Sequence, residues 1–278
     1  MKENQKLVRI LIRGANDIGS AVAHRLFKAG YPVVIHDIPQ PAVTRRKMAF
    51  TDAIFDGSTA LEGVRALRID DLSLMETALS SPQFIPVVVE DFSTLLGTLQ
   101  PAVLVDARMR KRQQPEDQRG LAPLTIGLGP NFIAGENIDL AVETSWGAAL
   151  GQVIYQGATL PLRGEPRPLA GHARDRYVYA PITGKFYTEF QLGDTVEQGQ
   201  VVALVDESPL HAPLSGRLRG LTHTGVPVGK GTKVIEIDPR GESISIPGDI
   251  NDVSDAEISG IAERPRRIAE GVLQAIQS

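Results

Sequence analysis

The sequence contains no cysteine. That absence excludes a disulfide scaffold, a thiolate metal site, a cysteine nucleophile and a persulfide carrier. Tryptophan occurs once, at Trp146, and core packing is the default role for a lone indole. Positive charge is not in excess: 29 Lys+Arg stand against 33 Asp+Glu, a net charge of −4. The chain therefore offers no basic field to a nucleic-acid polymer. No apolar run approaches the roughly 20 residues of a membrane span, and the opening MKENQKLV has no hydrophobic stretch of a secretory signal. A cytoplasmic protein with neither membrane nor polymer partner is expected. The five histidines, His24, His36, His172, His211 and His223, show no HxH or HxxxH spacing, so no metal site is expected either. What is present is 278 residues, 42% of them hydrophobic and 22% charged. Apolar segments recur along the whole length, which excludes global disorder, and the length suits about two domains.

The first half alternates short apolar runs with helical patterns. Leu7 to Ile12 ends in Arg13-Gly14, and Ile18, Val22, Leu26 and Phe27 then recur at helical spacing. Tyr31 to Asp37 reads as a second buried strand, Gly63 to Ile69 as a third, and Leu72 to Leu79 as a helix. Ile85 to Val89 and Val103 to Asp106 are further strands, separated by Phe92 to Leu99. Continuous Val/Ile/Leu strands alternating with helices predict a parallel sheet covered on both faces, in a Rossmann-like, doubly wound α/β domain over 1–110.

Its first loop, Gly14-Ala15-Asn16-Asp17-Ile18-Gly19, is an incomplete dinucleotide fingerprint, with Asn16 at the second glycine position. Gly14 permits the tight turn, Gly19 permits close helix–strand packing, and Asp17 is placed to cap the helix. Asp37 lies at the end of the second strand, near the spacing at which an acid grips a ribose. Arg45 and Arg46 follow, either to neutralise a phosphate or to pair with neighbouring acids. Asp106 and Arg108 lie at the carboxyl edge of the last strand, where open α/β sheets hold ligands. Two readings stay open: a nucleotide site, or loop glycines and an ion pair that only satisfy local geometry.

Between 111 and 172 comes the polar loop KRQQPEDQRG, then a strand entering a second glycine turn at Gly127 and Gly129, then a strand from Ile138 to Glu143. These glycines let a ligand or another strand approach the backbone. Over 173–240, Ala180-Pro181-Ile182-Thr183-Gly184-Lys185-Phe186 recurs as Ala212-Pro213-Leu214-Ser215-Gly216-Arg217-Leu218, 32 residues on. Gly193, Val196, Gly199 and Asp206 recur at the same offset as Gly225, Val228, Gly231 and Asp238. A fixed period over a whole unit predicts two related halves in a small all-β sandwich. A helix from about Asp255 to Gln277 is expected within a tail over 241–278.

The repeat resembles the biotinyl/lipoyl-like barrel-sandwich hybrid. Carriers of that family present a lysine between the halves, whereas Asp206-Glu207-Ser208-Pro209-Leu210-His211 has none, so neither biotin nor lipoate is expected. Along nearly the whole chain, the Arg13-Gly14-Ala15-x-Asp17 loop, Val22 to Leu26, Arg45-Arg46 with Ala49-Phe50, Asp56-Gly57, Asp106-Ala107-Arg108, Ile126 to Gly135, Glu143-Thr144 and Asp238-Pro239-Arg240-Gly241 resemble the YqeB-type family of selenium-dependent molybdenum hydroxylase accessory proteins. The chain departs from that family at Asn16, in place of a loop glycine, and at Ser145 to Ala148, which lack basic and histidine residues. The resemblance implies a helper in maturing molybdenum-dependent hydroxylases, with a hydroxylase as partner. It leaves NAD(P) and molybdopterin dinucleotide as candidate ligands, and an assembly of identical chains open. An NAD(P)-dependent oxidoreductase, with Asp106, Lys111 or His24 as proton donor, and a non-catalytic scaffold remain the alternatives. No catalytic residue is assigned.

Overall fold

The computed structural model of the chain describes residues 8–80, 83–111, 113–162, 164, 166, 168–240 and 258–278. They fall into two units. The first takes the described residues up to Pro39, with Ala49–Leu162 and Ile261–Ser278; the second takes Gln40–Met48 and the described part of Arg163–Gly260. This differs from the four consecutive segments expected from the sequence: 111–162 completes the first unit, 40–48 belongs to the second, and the final helix returns to the first.

The first unit contains β1 (Ile10–Arg13), α1 (Asp17–Lys28), β2 (Val33–His36), α2 (Asp52–Asp56), β3 (Ser58–Leu61), β4 (Val64–Arg68), α3 (Met75–Ser80), β5 (Ile85–Val88), α4 (Phe92–Leu99), β6 (Val103–Asp106), β7 (Leu124–Leu128), β8 (Ile133–Ala134), β9 (Leu140–Val142), β10 (Val153–Ile154), β11 (Gly157–Ala158) and, after the second unit, α5 (Glu263–Gln277). Among the described residues nine strands form one mixed sheet, ordered β10-β9-β7-β6-β1-β2-β5-β4-β3. The inner strands are parallel, and β3 and β10 are antiparallel edges.

Alternation along each strand feeds two apolar layers. Ile10, Ile12, Val33, Ile35, Val103 and Val105 pack in one cluster with Ile18, Val22 and Leu26 of α1 and Ile268 and Val272 of α5. Leu11, Val34, Val88 and Leu104 meet Met75, Leu79, Leu95 and Leu99 of α3 and α4 on the other face. Each fully buried aliphatic side chain contributes about 1.5–3 kcal/mol relative to exposure, which is why such short strands persist.

The sheet does not end near residue 110. β7 pairs parallel with β6, Val103 opposite Leu124, and β9 pairs parallel with β7. The polar stretch after β6 is thus a crossover with no helix among its described residues, and nothing in its periodicity announces a further parallel strand. β3 also escapes the sequence reading, because its turn to β4 is two residues long, with Glu62 at φ 43° and Gly63 at φ 78°. The last helix begins at Glu263, because Pro265 fits only within a first turn; residues 255–257 of the expected helix lie outside the described residues.

The second unit contains β12 (Tyr177–Tyr179), β13 (Gly184–Tyr187), β14 (Thr195–Val196), β15 (Val201–Val205), β16 (Ser208–His211), β17 (Gly216–Leu221), β18 (Pro227–Val228) and β19 (Lys233–Asp238). Its two four-stranded sheets run β12-β19-β17-β14 and β16-β15-β13-β18. Shifting every strand by one half of the repeat converts the first order into the second, so the 32-residue period is a twofold relation in which each half lends a strand to the other's sheet. The repeated glycine has a direct cause: a Cβ on Gly184 would collide with the Asp206 carboxylate, and one on Gly216 with the Asp238 backbone carbonyl. The strap 40–48 is fixed by Leu221 N donating to Thr44 O at 2.8 Å and by Arg46 Nε donating to Leu221 O at 2.9 Å.

Candidate anion-binding site

The chain leaves β1 on one side towards β2 and later enters β6 on the other, so the sheet's direction of growth reverses between β1 and β6. In open α/β sheets such a switch point is where ligands are held, at the carboxyl ends of the strands. Arg13 and Asp106, the last residues of β1 and β6, face each other there in register.

The first loop is closed on itself. Gly14, at φ 113°, packs so tightly that a Cβ would lie 2.9 Å from Ala107 O. Its N–H donates to His36 O at 2.7 Å, and Ala15 N–H donates to Asp37 Oδ2 at 2.7 Å. Asn16, not Asp17, caps α1: its Oδ1 accepts from Ile18 N at 3.0 Å and Gly19 N at 3.1 Å, while its Nδ2 donates to Ala107 O at 2.7 Å. The side chain at the departed glycine position therefore fills the helix terminus that a pyrophosphate would use. Asp37 also accepts from Ile38 N at 2.8 Å, so both its oxygens already hold an amide; burial nevertheless raises its pKa.

Beside this loop lies a cluster of guanidinium groups. Arg13 is 8% exposed, and its guanidinium stacks 3.7 Å above the Phe92 ring. Arg13 Nη1 donates to Glu116 Oε1 and Gln118 Oε1, both at 3.1 Å, and its buried Nε has no hydrogen-bond partner. Arg108 grips Asp106 through Nε, at 3.0 and 3.1 Å, and Nη2, and its Nη2 also donates to Glu116 Oε1 at 2.7 Å. Arg110 Nη2 donates to Glu116 Oε2 at 2.5 Å. Gln118 Nε2 completes the floor by donating to Asp106 Oδ2 at 2.7 Å. Burial alone would raise the Asp106 carboxyl, but Arg108 and Gln118 outweigh it and hold the group below its ordinary value. An acid so held is a counter-ion, not a proton donor.

Of the residues singled out from the sequence, Gly14 to Gly19, Asp37, Asp106 and Arg108 share this edge. Arg45 and Arg46 belong to the second unit, where Arg45 donates to Glu236 at 3.0 and 3.1 Å and Arg46 holds the strap. Gly127 serves packing, since a Cβ there would overlap the Phe132 ring; Gly129, at φ 105°, lies against Met109 and Thr144. Glu143 is buried and accepts from the N–H groups of Thr144, Ser145 and Leu160 at 2.6–2.8 Å, which fixes a turn. Trp146 is 40% exposed rather than packed in the core. His24 lies on α1, and Glu62 O is 3.4 Å from its Nε2. Arg13, Arg110, Glu116 and Gln118 were missed. The one signal available was the repeated Arg-x-Arg around residue 108, followed by a Glu and a Gln in one short loop.

The second unit carries its own cluster. Glu236 is fully buried and accepts from Arg45, from Arg176 Nη1 at 2.6 Å and from Lys233 Nζ at 2.9 Å. At the turn between β15 and β16 stand Asp206, at φ 49°, and Glu207. Among the described residues no three His, Asp or Glu side chains are grouped to hold a metal ion, and no helix is long and apolar enough to cross a membrane.

The chain is 39% identical over 267 residues, 96% of its length, to the protein named Uncharacterized protein YqeB of Escherichia coli (strain K12). It spans 47% of that relative, about half. No family model matches the chain. Among solved structures, a succinylglutamate desuccinylase/aspartoacylase from Rhodobacter sphaeroides is 28% identical over 23% of this chain and 22% of its own, with a TM-score of 0.19. An aspartoacylase family protein from Mesorhizobium loti is 12% identical over 77% of this chain and 58% of its own, with a TM-score of 0.23. Overlaps this low carry no reading of fold or activity.

Proposed function

We propose that this chain, similar along almost its whole length to YqeB, is an accessory factor in maturing molybdenum-dependent hydroxylases and holds an anionic, nucleotide-type molecule at the carboxyl edge of its large sheet. The observation that carries the binding half of this reading is the convergence of Arg13, Arg108 and Arg110 at the switch point between β1 and β6. Guanidinium groups are suited to phosphate because their paired N–H donors match its oxygens and they keep their charge at any working pH.

The strand order supports a Rossmann-like assignment. The run β5-β2-β1-β6-β7-β9 has the order of a doubly wound dinucleotide fold, with the β3–β4 hairpin added outside β5. The loop argues for a modified mode of binding. With the Ala15, Ile18 and Gly19 amides engaged by Asp37 and Asn16, the loop does not fit a pyrophosphate in the manner of the glycine fingerprint, and side chains take over the anion. Asp37 keeps lone pairs for a ribose hydroxyl. NAD(P) and molybdopterin dinucleotide both carry the required phosphates. The second unit, which resembles a barrel-sandwich hybrid but has no lysine between its halves, serves in this reading as the surface for a hydroxylase partner.

The test is native mass spectrometry of the protein purified at low salt, beside Arg110→Ala. A retained phosphate-bearing molecule, absent from the variant while its circular dichroism spectrum is unchanged, is the expected result. Absence of any retained anion from the wild type, together with no calorimetric binding of pyrophosphate by the wild type or by Glu116→Gln, overturns the reading.

A further inference from the structure

The carboxylate of Glu116 stands where the ligand of this site belongs. Its Oε1 accepts from Arg13 and Arg108 and its Oε2 from Arg110, so three guanidiniums from two strand ends close around one small anion, as they would around a phosphoryl group. Its setting differs from that of its neighbour. Asp106 is 1% exposed and ends a central strand, whereas the Glu116 side chain is 45% exposed and is borne by the polar crossover after β6. The crossover itself is pinned by Gln118, which is fully buried and donates its N–H to Asn137 O at 3.0 Å. Removing the Glu116 carboxylate from the ring thus needs rotation of one side chain, not movement of the loop.

We infer that Glu116 is a built-in stand-in for the ligand and that a dianionic phosphoryl group binds by displacing it. The inference rests on the reading of this edge as an anion site. It adds the class of the group bound and a built-in competitor for its place. Among the described ion pairs of these three guanidiniums, Asp106 is the carboxylate that remains once Glu116 has swung out, and Asp37 adds a longer-range charge opposite Arg108. Within the ion pairs this leaves an excess of two positive charges, which matches a phosphate dianion and exceeds what a carboxylate monoanion neutralises. The partnerless Nε of Arg13 leaves a donor in the same guanidinium uncommitted. While Glu116 is in place it offsets part of the mutual repulsion of Arg13, Arg108 and Arg110, the part that a bound phosphoryl group would take over.

Calorimetric titration of the full chain with inorganic phosphate, pyrophosphate and ADP, for the wild type, Glu116→Gln and Asp117→Asn, tests this. Asp117 is the control: it neighbours Glu116 but pairs with Arg119. Glu116→Gln is expected to bind pyrophosphate about tenfold or more tightly than the wild type, equivalent to about 1.4 kcal/mol, with Asp117→Asn unchanged. Tightening for all three ligands marks the phosphoryl group alone as recognised; tightening for ADP beyond pyrophosphate adds a nucleoside contact. Equal binding by the wild type and Glu116→Gln overturns displacement while leaving the anion site standing. Equal tightening by Asp117→Asn reduces the effect to general charge and also overturns it. No binding by any variant overturns both this inference and the reading beneath it.

Discussion

Each unit gathers arginines around carboxylates, and the two clusters differ in where the central acid is carried. Glu236 stands in the middle of a β-strand, is fully buried, and is gripped by Arg45, Arg176 and Lys233. Glu116 stands on a crossover loop, is nearly half exposed, and is gripped by Arg13, Arg108 and Arg110. The number of hydrogen bonds is similar, yet the consequences are opposite. A buried ion on a strand cannot leave without abandoning its partners in a dry interior, so that cluster is a fastening. An ion on a wet loop exchanges its partners for water or for another anion more readily, and in the proposed reading that cluster is a receptor. Burial of the acid, not the count of arginines, is what separates the fastening from the proposed receptor.

The largest expected effect belongs to the fastening. Glu236→Gln leaves Arg45, Arg176 and Lys233 facing a neutral amide in a buried site, and breaking such a pair costs about 3–5 kcal/mol. A fall of that size in unfolding free energy, read from urea midpoints, is the expected outcome; a loss under about 1 kcal/mol would place Glu236 in the same class as Glu116 and dissolve the contrast. Acid titration gives the same answer independently. Burial would raise the Glu236 carboxyl, but Arg45, Lys233 and Arg219 outweigh it and hold the group well below its ordinary value. A carboxyl depressed on folding adds stability that is complete above its unfolded value of about 4.3 and is lost as pH falls through the folded value. The wild type is therefore expected to lose stability steadily below about pH 4, and Glu236→Gln to lose less of it.

How visible each cluster was in the sequence follows from the same physics. Periodic apolar residues made β1, α1, β2, β5, α4 and β6 readable, and the 32-residue period made the second unit readable down to its paired sheets, because burial and turn geometry are written locally. Asp106 and Arg108 were readable as a carboxyl-edge pair because they follow a strand. Glu116 and Gln118 were not, since the run Lys111 to Gly120 has the composition of a solvated loop and only tertiary pairing of β6 with β7 turns it across the sheet. For Arg45 the sequence left a phosphate or an acid as partner, and the acid it meets, Glu236, lies far along the chain, because nothing local shows that 40–48 joins the second unit. The Asn16 cap was a near miss, because Asn and Asp at adjacent positions are both able caps.

Asp106 offers an intermediate case that sharpens the comparison within one cluster. It is buried like Glu236, yet it shares Arg108 with Glu116, the acid proposed to be displaced. Asp106→Asn keeps the shape, loses the charge, and leaves Arg108 and Gln118 with poorer acceptors, a change expected to cost about 1–3 kcal/mol by chemical denaturation. Because the variant removes negative charge opposite the three guanidiniums, pyrophosphate binding is expected to survive in it. Loss of binding with little loss of stability would reverse the roles assigned to the two acids.

The smallest expected effect on stability is that of Glu116→Gln, and its smallness carries the distinction. Burial would raise the Glu116 carboxyl, but Arg108 and Arg110 outweigh it and hold the group well below its ordinary value. Solvent screening of a half-exposed carboxylate nevertheless limits the pair's contribution to stability to about 0–1 kcal/mol. The carbonyl of the introduced amide would still accept from one guanidinium, and Asp106 would still hold Arg108. Unfolding midpoints are thus expected to lie within about 1 kcal/mol of the wild type even while anion affinity rises. A loss comparable to that of Glu236→Gln would show that Glu116 fastens the crossover to the sheet. The two clusters would then be one kind of object, and the difference in burial would have no functional meaning.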